Sequence, residues 1–84
     1  MRRNPSARAH RRVEAAAQYH HQYRAAIRKG DWKKALFAAA DMLESAAMAR
    51  VYAQIDKDDD SADHAGDYLH EAGEMFAHIA KELS

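Results

Sequence analysis

The run from Tyr23 to Leu43, YRAAIRKGDWKKALFAAADML, constrains the fold more than any other stretch, because one helix reads as stopping at Gly30 and another as starting at Asp31. Arg28 and Lys29 complement the negative end of a helix dipole, Gly30 can take the left-handed conformation that closes a helix, and Asp31 suits the N-cap of the next. Beyond the turn, Trp32, Ala35, Leu36, Ala39, Met42, Leu43 and Ala46 recur at spacings of three and four, which is one apolar face of an amphipathic helix. Before it, Tyr19, Tyr23, Ala26 and Ile27 offer a matching face. So short a connection makes the two helices antiparallel neighbours. Trp32 is expected to be largely buried between them, with truncation to alanine costing roughly 3 to 5 kcal/mol.

Tyr19, Tyr23, Ala26, the triplet Gly30-Asp31-Trp32, Ala35 and Ala39 together resemble a single tetratricopeptide-type helical hairpin within residues 19–43. That resemblance implies two helices brought close by small residues, with an aromatic residue following the turn. Only one unit is present, and repeat arrays need about three to close a core. The expectation is a hairpin of that shape and not a peptide-binding array.

At 84 residues without cysteine, the chain is one domain near the lower size limit for folding unaided, and disulfides and thiolate metal sites are excluded. Alanine accounts for 20 residues, about half of the hydrophobic fraction, so the helices can pack closely but bury little area. A core this thin favours help from a partner or from self-association. No apolar run reaches membrane-spanning length, and no hydrophobic segment follows the N-terminal arginines, so a cytoplasmic, non-membrane protein is expected.

The zero net charge hides a gradient. Residues 1–30 carry eight Arg and Lys against Glu14, whereas residues 54–84 carry nine acids against Lys57 and Lys81. Such asymmetry accompanies nucleic-acid or charged-partner surfaces. It is equally accounted for if the first and third helices lie side by side and neutralise each other.

The fold class read from these patterns is all-α, a small antiparallel three-helix bundle spanning residues 1–84, with helices over about 5–29, 32–55 and 62–83. Residues 1–4 read as a flexible basic tail, with Asn4 as N-cap and Pro5 at the first helical position. In the first helix the apolar stripe is Ala9, Val13, Ala16, His20, Tyr23 and Ile27. Arg8, Arg11 and Arg12 beside it are candidate nucleic-acid contacts by charge alone. The competing reading is a solvated or acid-paired face. His20, on the stripe, reads as a hydrogen-bonded core histidine.

The second helix carries Phe37, Met48, Val51, Tyr52 and Ile55 out of phase with its Trp32 face. A helix apolar on more than one side is central to a bundle or covered by a partner, so these five are the candidate partner-binding residues. A symmetric homodimer is one way to cover them, and packing against the third helix is the alternative. Asp56 to Ser61 reads as a loop, with Asp60 or Ser61 capping a third helix whose core face is Ala65, Leu69, Ala72, Phe76, Ile79 and Leu83.

Three chemical motifs are weighed and set aside. The aspartates at 56, 58 and 60 with Asp67 imitate a calcium loop, but Ser61 stands where the sharp turn needs glycine and Asp67 is short for a bidentate glutamate. His70, Glu74 and His78 share a spacing of four but read as a solvent face, so no metal is assigned. Arg3-Asn4 followed by His10 resembles the motif of HEPN-type ribonucleases, which sits inside a larger helical domain and not at the start of a chain.

With no nucleophile, phosphate loop or cofactor motif, the chain reads as a non-enzymatic protein–protein interaction module without cofactors: an adaptor, inhibitor or accessory subunit of bacterial or phage type. Two alternatives stand beside it. One is nucleic-acid association through Arg8, Arg11 and Arg12. The other is an anti-CRISPR-like inhibitor whose acidic end mimics nucleic acid.

Overall fold

A computed structural model describes residues 5–84, so the tail expected at residues 1–4, and Arg3-Asn4 within it, lie outside the described residues. Three helices follow one another: α1 (Ala7–Lys29), α2 (Trp32–Ile55) and α3 (Asp59–Leu83). They form a three-helix bundle whose Cα atoms extend over 49 × 18 × 15 Å.

The first turn follows from its sequence. Gly30, at φ 70°, donates its N–H to the Ile27 carbonyl at 3.0 Å, and Asp31 donates to the Ala26 carbonyl at 2.9 Å. This is the Schellman closure that glycine permits without steric cost. Asp31 then accepts from the Lys34 N–H at 3.0 Å and starts α2. Lys57 closes α2 in the same way at φ 58°, although it carries a side chain, with Asp58 donating to the Ala53 carbonyl at 2.8 Å. The left-handed conformation costs a non-glycine residue about 1 kcal/mol.

Two helix starts differ from the sequence reading. Ser6, not Asn4, caps α1: its Oγ accepts from the Ala9 N–H at 3.1 Å. Asp58, not Asp60 or Ser61, caps α3, which therefore begins three residues earlier than expected. Both choices are made by tertiary structure, because the two helix starts lie side by side and share acceptors. Asp58 Oδ2 accepts from the Ser6 N–H at 2.9 Å and from Ser61 Oγ at 2.7 Å, while its Oδ1 accepts from the Ser61 N–H at 3.2 Å. Carboxylates there also meet the positive ends of two helix dipoles at once.

The centre of the bundle is α2, which packs extensively on both α1 and α3, whereas α1 and α3 meet each other far less. Its buried residues are Ala35, Ala38, Ala39, Met42, Ser45, Ala46, Ala49 and Ala53. At 100° per residue they span an arc of about 120°. Both neighbouring helices therefore sit on one side of α2, and the alternative in which α3 covers the second apolar face is not what the fold adopts. Alanine makes this geometry accessible, since a side chain ending at Cβ lets two helices approach a third closely.

Several large residues are displaced from the core by that choice. Leu36 and Leu43, expected inside, are 42% and 40% exposed. Trp32 is partly buried and packs against the core as expected, and its ring also meets His78 of α3, with ring centroids 5.9 Å apart. On α3, Leu69 and Phe76 are partly buried and pack against the core, Leu83 is 62% exposed in the last turn, and Met75, outside the predicted core face, is buried. Among the described residues the only large side chain that is fully enclosed is Met42.

Candidate interaction surface on the second helix

With α1 and α3 on one side of α2, the opposite side has no neighbouring helix among the described residues. Phe37, Val51 and Ile55 are 57%, 52% and 61% exposed there. Met48 and Tyr52 are half-buried at the same face. Ala47, Met48, Val51 and Tyr52 line a shallow apolar groove of about 310 Å³. All five residues singled out from the sequence are thus brought to one surface, and α3 does not cover them. Leu36 and Leu43 extend the same surface toward the N-terminal half of the helix. The sequence reading missed them because their spacing from Trp32 fits a core stripe. The available signal was that apolar residues occur all around α2, which leaves the choice of inner face to the smallest side chains.

The charged candidates are divided by the fold. Arg8 forms a two-pronged pair with Asp56, Nε to Oδ2 and Nη2 to Oδ1, both 3.0 Å, and lies 4.6 Å from the centre of the Tyr52 ring. Ser6 Oγ donates to the same carboxylate at 2.6 Å. Arg12 is half-buried and Arg11 is exposed without an ion pair among the described residues. Of the trio, one arginine is therefore held within the molecule and the other two point into different environments.

The Asp56 carboxyl is held below its ordinary value of 3.8, first by the hydrogen bond from Arg8 and then by that from Ser6. A depressed carboxylate contributes stability that is complete above its unfolded pKa and lost as the pH falls through the folded one. The start of α1 is accordingly expected to fray as the pH is lowered below about 3.8. NMR of the Ala9 and His10 amides through an acid titration checks this, and Asp56→Asn should remove the step. If the two amides move equally in parent and variant, the clasp does not hold α1.

A second, wider groove of about 390 Å³ runs between α1 and α3, lined by His20, Tyr23, Arg24, Glu71, Glu74, Met75 and His78. His20 Nε2 meets Glu71 Oε2 at 3.1 Å and ties the two helices across it. Burial pushes the Tyr23 phenol above its ordinary value of 10. His70 pairs with Glu74 at 3.2 Å while His78 turns to Trp32, so that row of residues does not converge. Among the described residues no three His, Asp or Glu side chains are placed to share a metal ion. Asp56 and Asp58 of the calcium-like run serve as acceptors for α1 and α3, and Asp60 and Asp67 stand on the α3 helix itself. His10 pairs with Glu14 at 2.9 Å on the exposed side of α1.

Among the described residues no helix is long and apolar enough to cross a membrane. Comparison of the chain with protein-family models, with curated proteins and with solved structures gives no match.

Proposed function

We propose that this chain is a non-catalytic protein–protein interaction module of the cytoplasm, an adaptor, inhibitor or accessory subunit of bacterial or phage type, that docks its partner on the outer face of α2. What supports this reading is the exposure of Leu36, Phe37, Leu43, Val51 and Ile55 along one side of a single helix. Monomeric proteins seldom expose contiguous apolar patches beyond a few hundred Å², and larger ones mark interaction sites. Burying side chains of this size stabilises a complex by about 1.5 to 3 kcal/mol each when they pass from full exposure to full burial. Nucleic-acid association through α1 draws less support, because Arg8 would have to leave Asp56 and the Tyr52 ring to reach a phosphate.

The test compares parent and Val51→Glu as baits in a lysate of the native host, with captured proteins identified by mass spectrometry. The expected result is a partner held by the parent and lost by the variant, whose melting temperature stays within a few degrees of the parent. A variant that keeps the same partners, or that unfolds, overturns the reading.

A further inference from the structure

Resting on that docking surface, we infer that its occupant is a second copy of this chain, with the two α2 helices packed antiparallel about a two-fold axis level with Ser45 and Ala46. Two features carry this. The first is area. Five large side chains, each about half exposed, leave on the order of 500 Å² of apolar surface on the face. Two such faces, with the alanines between them and the charges beside them, reach the roughly 1,200 Å² at which stable specific interfaces begin.

The second feature is charge placement, and it follows from register. The exposed apolar run extends from Leu36 to Ile55. An antiparallel pairing that covers all of it centres between residues 45 and 46 and sets Asp41 of one copy level with Arg50 of the other. The axis of an antiparallel pair is perpendicular to the plane of the two helices, so the flank of α2 beside α1 meets the same flank of the second copy. On that flank Arg8 lies over Tyr52. Because α1 runs opposite to α2, Arg11, about one turn further along, comes level with Ala49 and Arg50. Asp41 stands on the same flank, within about 20° of Tyr52 around the helix. Both Arg11 and Asp41 are exposed, and neither has an ion pair among the described residues. The register set by the apolar run alone therefore brings Asp41 against Arg11 of the second copy, and symmetry makes the contact twice.

Glu44 supplies a distinguishing sign. It lies near the axis on the apolar face, so a homodimer sets it beside its own copy. A partner of different sequence would not share that repulsion.

Light scattering and sedimentation across a concentration series at low salt test the proposal. The parent is expected to double in mass at micromolar concentration, and Val51→Glu to remain single. Asp41→Arg and Arg11→Asp should each weaken association about tenfold, and the two together in one chain should restore it, since each reversal acts at two symmetric contacts. Glu44→Gln should tighten the dimer several-fold. A dimer indifferent to the charge exchange overturns this arrangement. A parent that stays single at high micromolar concentration overturns the second copy as occupant. In that case a Val51→Glu variant that melts like the parent leaves α2 open to another protein, whereas one that melts far lower overturns the docking surface as well.

Discussion

Met42→Ala is expected to cost about 2 to 5 kcal/mol, the largest effect of any single truncation in this chain. Among the described residues Met42 is the only large side chain that is completely enclosed, and seven of the other ten buried members of its core cluster are alanines. Alanines cannot reach into the space its removal leaves, so the cavity stays open and its lining loses contacts outright. A domain of this length has about 4 to 13 kcal/mol of stability in total, so the variant should melt about 8 °C or more below the parent. Trp32→Ala should cost less, despite the larger side chain, because that ring is only partly buried whereas Met42 is completely enclosed. Thermal unfolding followed by circular dichroism checks both. If the tryptophan variant is the less stable, the core is centred on the turn and not on α2.

Asp58→Ala is expected to cost about 2 to 4 kcal/mol. Its carboxylate accepts from the Ser61 N–H, from Ser61 Oγ and from the Ser6 N–H, so one substitution uncaps α3 and strands a buried donor at the start of α1. Substitution of an isolated N-cap costs about 1 kcal/mol; anything near that value would mean that the two helix starts are independent. Asp58→Asn, which keeps an acceptor oxygen, should recover part of the loss. Hydrogen exchange would separate the two helices, with protection expected to fall at the N-terminal turns of both.

The elements that could be read from the sequence are those fixed by neighbouring residues. Gly30 and Asp31 close and open helices through bonds that reach no more than five residues, and α2 runs from Trp32 to Ile55 as its pattern indicates. The starts of α1 and α3 were not legible. Any of Asn4, Ser6, Asp58, Asp60 and Ser61 can cap a helix, and the choice is made by a contact between residues 6 and 58. The inner face of α2 was legible in Ala35, Ala39, Met42 and Ala46, which are buried as the stripe predicts, but not at its edge, where Leu36 and Leu43 are exposed. Periodicity favours the side with Leu36 and Leu43, but a helix that must receive two neighbours on one side does so where its side chains are smallest. The outer patch of Phe37, Val51 and Ile55 was legible because those residues fall out of phase with any single core. Its extension to Leu36 and Leu43 became visible only once the alanine face had been located.

An odd number of helices among the described residues also sets the start of α1 and the end of α3 at opposite ends of the bundle. Ser6 sits beside Asp58 at one end of the molecule, and α3 then runs back past Trp32 to finish at the other. Joining the start of α1 to the end of α3 within one copy would require a tether crossing up to 49 Å, at least about 15 residues even fully stretched. Circular permutation by a short loop is therefore closed to this fold. The same separation makes the bundle a spacer: proteins fused to its two ends would be held apart by the length of a helix, each clear of the other and of the exposed side of α2.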